Sequence, residues 1–150
     1  MGFRFTLETV LRLRRSLEDG ERLRLQLLLA DRAQLQRTIS ETTASRSEVG
    51  NKLTQSMKQE ELSAAEMQFA AQRLTACDLH SARLHASVST MTQQIERQQS
   101  VLLRRRIDRK VLEQLRARQL ERHEAETQRR EQLQAEELFL LRRERRATSS

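Results

Sequence analysis

The chain lacks most of the residues that interrupt helices or fill globular cores. Its 150 residues include no proline, tryptophan or tyrosine, and only three glycines and four phenylalanines. Proline is the strongest helix breaker, so its absence favours long, uninterrupted helices. Aromatic residues make up 3% of the chain, and the hydrophobic fraction of 37% is low for a globular core. The composition therefore predicts an elongated helical protein without a deep pocket, and we do not expect it to be an enzyme.

Other absences set further limits on the class of protein. A single cysteine, Cys77, excludes an intramolecular disulfide, and we expect it to pack as a small hydrophobic residue. No apolar run approaches the roughly 18 residues that a membrane-spanning helix needs. The N-terminus shows no signal-peptide pattern, so a cytoplasmic location is expected. The three histidines, His80, His85 and His123, lack metal-ligand spacing, and no metal or other cofactor is predicted.

What the chain does contain is a long heptad repeat. Over the segment 67–102, apolar residues recur at alternating gaps of three and four, which is typical of a coiled coil. The predicted seam consists of Met67, Ala70, Leu74, Cys77, Ser81, Leu84, Val88, Met91, Ile95, Gln98 and Leu102. A second run, from Leu25 to Leu53, follows the same spacing with a few polar interruptions. Two such runs predict two helices that pack along their seams.

The segment between the two runs carries a helix start signal. Ser63 and Glu66 have the spacing of a capping box, in which each side chain bonds the backbone amide of the other residue, and Leu62 precedes the cap. We therefore predict an all-α fold, a long antiparallel two-helix coiled-coil hairpin in a single domain over 1–150. The first helix is expected over about 6–56, the turn over about 57–63 and the second helix over about 64–146.

The second predicted helix is longer than the first, so its C-terminal part overhangs. In the predicted register Leu11 lies opposite Val111, and the last 30 or so helical residues extend about 45 Å beyond the first helix. The apolar stripe continues loosely at Val111, Leu112, Leu115 and Leu120, and an apolar cluster follows at Leu133, Leu138, Phe139, Leu140 and Leu141. We expect this cluster either to be covered by another protein or to remain an exposed patch.

The positive charge of the chain is concentrated towards its ends. The net charge is +7, yet residues 61–100 carry three arginines against four acids, whereas residues 101–150 carry 14 basic residues against nine acids. A basic end predicts an acidic partner. The alternative for any one of these charges is a solvated helix face with i,i+4 ion pairs.

Two motifs near the ends of the chain carry a family resemblance. The segment 3–14, FRFTLETVLRLR, contains the pattern F-x-L-x-x-V-L-x-x-R, and the segment 110–118, KVLEQLRAR, follows K-x-L-E-x-L-x-x-R. Further on, Arg130-Glu131-Gln132 precedes the acidic pair Glu136-Glu137. In this order, the motifs resemble those of the flagellar FliJ proteins. The length, the single hairpin and the longer second helix extend the resemblance over nearly the whole chain.

The resemblance implies a stalk function in flagellar type III protein export. In that family the paired termini enter the hexameric export ATPase and promote its assembly and activity, and the opposite part of the hairpin contacts the membrane export gate and helps deliver substrates and export chaperones. The implied ATPase-binding residues are Phe3, Leu7, Val10, Leu11, Arg14, Lys110, Leu115 and Arg118. The implied gate-binding residues are Phe69, Arg73, Ala76 and His80. The implied location is cytoplasmic, peripherally associated with the inner membrane at the flagellar base.

Several alternatives remain open at this point. Arg14 and Arg118 could pair with acids lining the ATPase pore or remain solvated, and Phe69 could be an exposed contact or pack against Leu53. The chain could be the equivalent stalk of a virulence secretion system, or a peripheral membrane helix using Leu138–Leu141. A basic nucleic-acid-binding coiled coil is a third class, but acids interleave with the 25 arginines and no aromatic platform is present, so no nucleic-acid partner is expected.

Overall fold

A computed structural model describes residues 2–149 and contains two α-helices, α1 over Glu8–Lys58 and α2 over Ala64–Thr148. Their side chains meet in antiparallel order, and the predicted all-α hairpin with a longer second helix is confirmed. Helix α2 begins where the capping box predicts. The other three helix ends lie two residues further along the chain than expected, a difference within the usual uncertainty of helix ends.

The turn between the helices is closed by backbone and side-chain caps. At the end of α1, the amide of Glu60 donates to the carbonyl of Met57 and the amide of Glu61 to that of Ser56, both at 3.3 Å. This is a Schellman motif, and it places Glu60 in the left-handed region with φ of 55°.

Helix α2 opens with the predicted capping box. The Ser63 amide donates to Glu66 Oε2 at 2.8 Å, and the Glu66 amide donates to Ser63 Oγ at 3.2 Å. The hydrogen bond from the Ser63 backbone lowers the pKa of the Glu66 carboxyl, because it favours the charged form. The turn is therefore set by local chemistry on both sides of residues 59–63.

The chain divides into two compact units. The terminal unit contains the residues up to Glu18 and those from Arg104 onward, and the turn unit is Asp19–Leu103. The prediction that the hairpin forms one domain stays a prediction.

In the turn unit, the predicted seam is the least exposed stripe of α2. Its residues from Ala70 to Leu102 are buried or half-buried at every predicted position, and Ile95 is only 3% exposed. Met67 is the exception, at 39% exposed, because it lies in the first turn of α2 beside the chain reversal. The facing stripe of α1 starts at Glu21, four residues before the predicted Leu25. The Glu21 carboxylate accepts a hydrogen bond from Gln98 Nε2 at 2.6 Å. Cys77 is half-buried on the seam.

In the terminal unit, the predicted stripe of α2 was wrong in detail. Val111 is 55% exposed and Leu115 37% exposed, whereas Leu112 is buried and packs with Leu11 and Phe5. The three-four spacing continues from the preceding seam, but charged side chains occupy many of its positions. All of these seam positions are half-buried or buried: Arg105, Arg109, Leu112, Arg116, Gln119 and His123. Long arginine side chains can cover a seam while their charged ends reach water, so apolar residues lie one position off it.

The terminal unit also contains the overhang. The non-helical segment before α1 extends the packing, because the ring of Phe3 lies 5.7 Å from that of His123. From Glu124 to the end of α2 at Thr148, every residue is exposed. These 25 residues correspond to about 38 Å of helix, slightly less than predicted.

Candidate docking sites

The terminal unit has a network of ion pairs across its seam and along one side of its helix pair. Arg109 binds the buried carboxylate of Glu18 and, through Nη1, Glu113 at 2.7 Å. Arg106 lies 3.6 Å from the same Glu18 carboxylate, which is 2% exposed. The hydrogen bond to Glu18, followed by the one to Glu113, raises the pKa of Arg109. Two further ion pairs cross between the helices, Arg15–Glu113 at 3.3 Å and Arg116–Glu8 at 3.1 Å.

The other side of the same helix pair is apolar and exposed. Each of its residues directly precedes a seam residue, and in an antiparallel pair these positions lie on the same side of both helices. We call this surface the apolar flank: Val10, Leu13 and Leu17 on α1, and Val111 and Leu115 on α2. Their exposed fractions range from 37% to 58%. The contact between Leu11 and Leu112 sets the register, which brings Leu13 level with Val111.

The predicted ATPase-binding residues fall into two groups. Leu7, Val10 and Leu115 are exposed, and so are the charged Lys110 and Arg118. Leu11 is fully buried, Phe3 is partly buried against the same core, and Arg14 Nη1 donates to the carbonyl of Asp108 at 2.6 Å. The second group therefore packs or bonds between the helices at this end, and its part in binding a partner stays a prediction.

Sequence reasoning missed two exposed leucines and one valine of the apolar flank. Leu13 and Val111 lie at variable positions inside the two motif segments, Leu17 lies beyond the first segment, and the apolar pattern places Val111 on the seam. A strict count of three-four gaps, run forward from Leu102 and back from Leu25 without regard to residue type, places all three residues beside the seam.

The overhang carries a second exposed apolar surface. Leu138, Phe139, Leu140 and Leu141 are each 54–66% exposed. Consecutive helical residues are about 100° apart, so these four cover the whole circumference of the helix. A helix that is apolar all round is normally covered on every side, unlike one with a single apolar stripe.

The turn unit has an exposed groove near the chain reversal. Its floor is formed by half-buried apolar side chains of both helices and the turn: Val49, Leu53, Leu62 and Ala70. Its rim carries Glu48 and Lys52 from α1, and Phe69 and Arg73 from α2. The groove has a volume of about 240 Å³ and is open to solvent. A side chain or two of a partner would fit there.

The predicted gate-binding residues share one side of α2 in this unit. Phe69, Arg73, Ala76 and His80 all directly precede seam residues, and all are exposed. Phe69 is 64% exposed. It therefore lies at the rim of the groove, and its ring does not pack deeply against the side chain of Leu53 on the floor. Ala76 and His80 line a shallower depression with Glu41 and Ser45 of α1. The structure thus brings the four positions together on one continuous face.

Two general features concern the part of the chain that the structure describes. Within residues 2–149, neither helix has a stretch long and apolar enough to cross a membrane. Over the same residues, no three His, Cys, Asp or Glu side chains cluster in a way that could hold a metal ion.

Comparison with known proteins gives one result. The family model described as "Flagellar FliJ protein" matches residues 3–148 of the chain. No significant match was found among curated proteins or among solved structures.

Proposed function

The chain belongs to the flagellar FliJ family and is a component of flagellar type III protein export, and on that premise we propose that it is the stalk of the export ATPase. In this proposal the terminal unit binds the hexameric ATPase and promotes its assembly and activity. The turn unit contacts the membrane export gate and helps deliver export chaperones. The protein acts by binding and not by catalysis. Its proposed place is cytoplasmic, at the inner membrane under the flagellum.

The observation that carries the ATPase contact is the exposed apolar flank. A solitary helical hairpin gains stability by burying apolar residues, yet here Leu13 and Val111 are more than half exposed while charged residues fill much of the seam. Exposed apolar surfaces of this kind commonly mark protein interaction sites. Three of the positions implied by the family resemblance, Leu7, Val10 and Leu115, lie on or beside this flank.

The test is stimulation of the cognate ATPase by purified protein. The double variant Leu13→Ser/Val111→Ser removes the centre of the flank without touching the core of the terminal unit. We expect it to lose most of the stimulation of hydrolysis and of ring formation. The matched control is Leu23→Ser/Leu27→Ser in the turn unit, where the two leucines are 57% and 58% exposed. If Leu13→Ser/Val111→Ser stimulated the ATPase as strongly as the control variant, the proposed ATPase contact would be contradicted.

The gate contact is supported by the face that carries Phe69, Ala76 and His80. Its apolar floor and exposed aromatic rim suit a protein partner better than a small ligand. Binding of the cytoplasmic domain of the cognate gate, measured by calorimetry, tests this part. Phe69→Ala should weaken binding severalfold, and unchanged binding would place the gate contact elsewhere.

Two alternatives are less well supported. A virulence secretion stalk would have the same architecture, but the family match is to the flagellar protein. Nucleic-acid binding finds little support in the terminal unit, because several of its arginines already pair with Glu8, Glu18 or Glu113. A steep dependence of RNA or DNA affinity on salt would revive that class.

A further inference from the structure

The groove in the turn unit combines an apolar floor with charges that do not balance. Glu48 and Lys52 form an ion pair with each other, Nζ to Oε1 at 2.7 Å. Arg73 on the opposite rim has no hydrogen bond or ion pair in the described part of the chain. Once Glu48 and Lys52 neutralise each other, the rim keeps one positive charge.

The position of Arg73 makes this charge available to a partner. It lies four residues after Phe69, one helical turn away on the same side of α2, and both line the groove. Arg73 is close enough to Glu48 to contribute to the lowered pKa of that carboxyl, after the larger effect of the Lys52 hydrogen bond. A second carboxylate entering the groove would meet a guanidinium fork that can bind it in bidentate fashion.

We propose that the segment of the export gate that docks here presents an apolar side chain next to an acidic residue. The apolar side chain fills the floor over Leu53 and Ala70 against the ring of Phe69, and the acidic residue pairs with Arg73. The inference rests on the proposed gate contact and adds the chemistry of the partner. Charge complementarity selects this occupant over a wholly apolar one, because a wholly apolar segment would cover the Arg73 charge without compensating it.

The test is the binding of the cognate gate domain to Arg73→Leu. Leucine enlarges the apolar rim, so an apolar partner would bind this variant more tightly. An acidic partner would bind it about three- to tenfold more weakly at low salt, mainly through slower association, as expected for a charge at the rim of an interface. The wild-type affinity should fall between about 50 and 300 mM salt, and the variant should lose most of that dependence. Arg73→Lys keeps the positive charge and should retain the salt dependence of the affinity.

Two controls separate this inference from the proposed function. Arg37→Leu makes the same chemical change at an exposed position of α1 that does not line the groove, and its affinity should match the wild type. If Phe69→Ala weakens binding while Arg73→Leu leaves it unchanged or tighter, the gate contact stands and the acidic partner is refuted. If the wild type does not bind the gate domain, or Phe69→Ala has no effect, the gate contact itself fails at this groove.

Discussion

The turn unit and the terminal unit use opposite distributions of apolar residues. In the turn unit, the seam of α2 is mainly apolar, with Ile95 buried, and the flanks are mainly polar. In the terminal unit, four arginines and Glu18 occupy seam positions, and leucines and valines lie outside on the apolar flank and the overhang. The difference indicates that the turn unit is built to hold the hairpin closed. The terminal unit keeps only a small core around Leu11 and leaves apolar surface for a partner.

The largest expected effect is on the seam of the turn unit. Ile95→Ala removes a nearly fully buried side chain and should cost about 2–3 kcal/mol, because the transfer free energy is lost and a cavity remains. Ile107→Ala in the terminal unit makes the same change at a residue 52% exposed and should cost less than about 0.5 kcal/mol. Urea unfolding followed by circular dichroism measures both. Equal losses would remove the contrast between the units.

The next effect concerns the buried acid in the terminal unit. Arg109→Leu removes the arginine that binds both oxygens of the buried Glu18 carboxylate, and should cost about 2 kcal/mol. The double variant Glu18→Leu/Arg109→Leu should recover most of that loss, since two apolar residues then face each other in the seam. A double variant as unstable as the single one would show that the seam at this end needs charge for another reason.

A smaller effect, of opposite sign, is expected at the turn. Glu60 has φ of 55°, a left-handed conformation that glycine adopts without the steric cost that other residues incur. Glu60→Gly should therefore stabilise the hairpin by a few tenths to about 1 kcal/mol, reduced by the greater freedom of glycine in the unfolded chain. The neighbouring Glu61→Gly has no positive φ to relieve and should be neutral or destabilising. Thermal unfolding of the two variants makes the comparison, and a destabilised Glu60→Gly would contradict the strain at this position.

The two units also differ in how well the sequence predicts them. The turn unit follows the rules of patterning and capping, so its seam and the Ser63–Glu66 box could be predicted. In the terminal unit the same periodicity continues through Arg105, Arg109 and Arg116, and an apolar pattern cannot reveal a seam made of charged residues. The exposure of Val111 and the burial of Glu18 depend on which charges meet across the hairpin. That pairing becomes visible only when both helices are in place.

The smallest expected effect on stability comes from removing the overhang, although its effect on function should be large. The segment 126–150 lies beyond the contact between Phe3 and His123, and its described residues are exposed throughout. Deleting it should change the free energy of unfolding by less than about 0.5 kcal/mol. Stimulation of the ATPase should nevertheless be lost, because the deletion removes the turn of helix that is apolar all round, Leu138–Leu141. Calorimetric unfolding and ATP hydrolysis, measured on the same preparation, separate the two outcomes. A truncated protein that unfolds at lower temperature would mean that the overhang packs on the hairpin, and one that still stimulates the ATPase would leave the apolar flank as the whole of the contact.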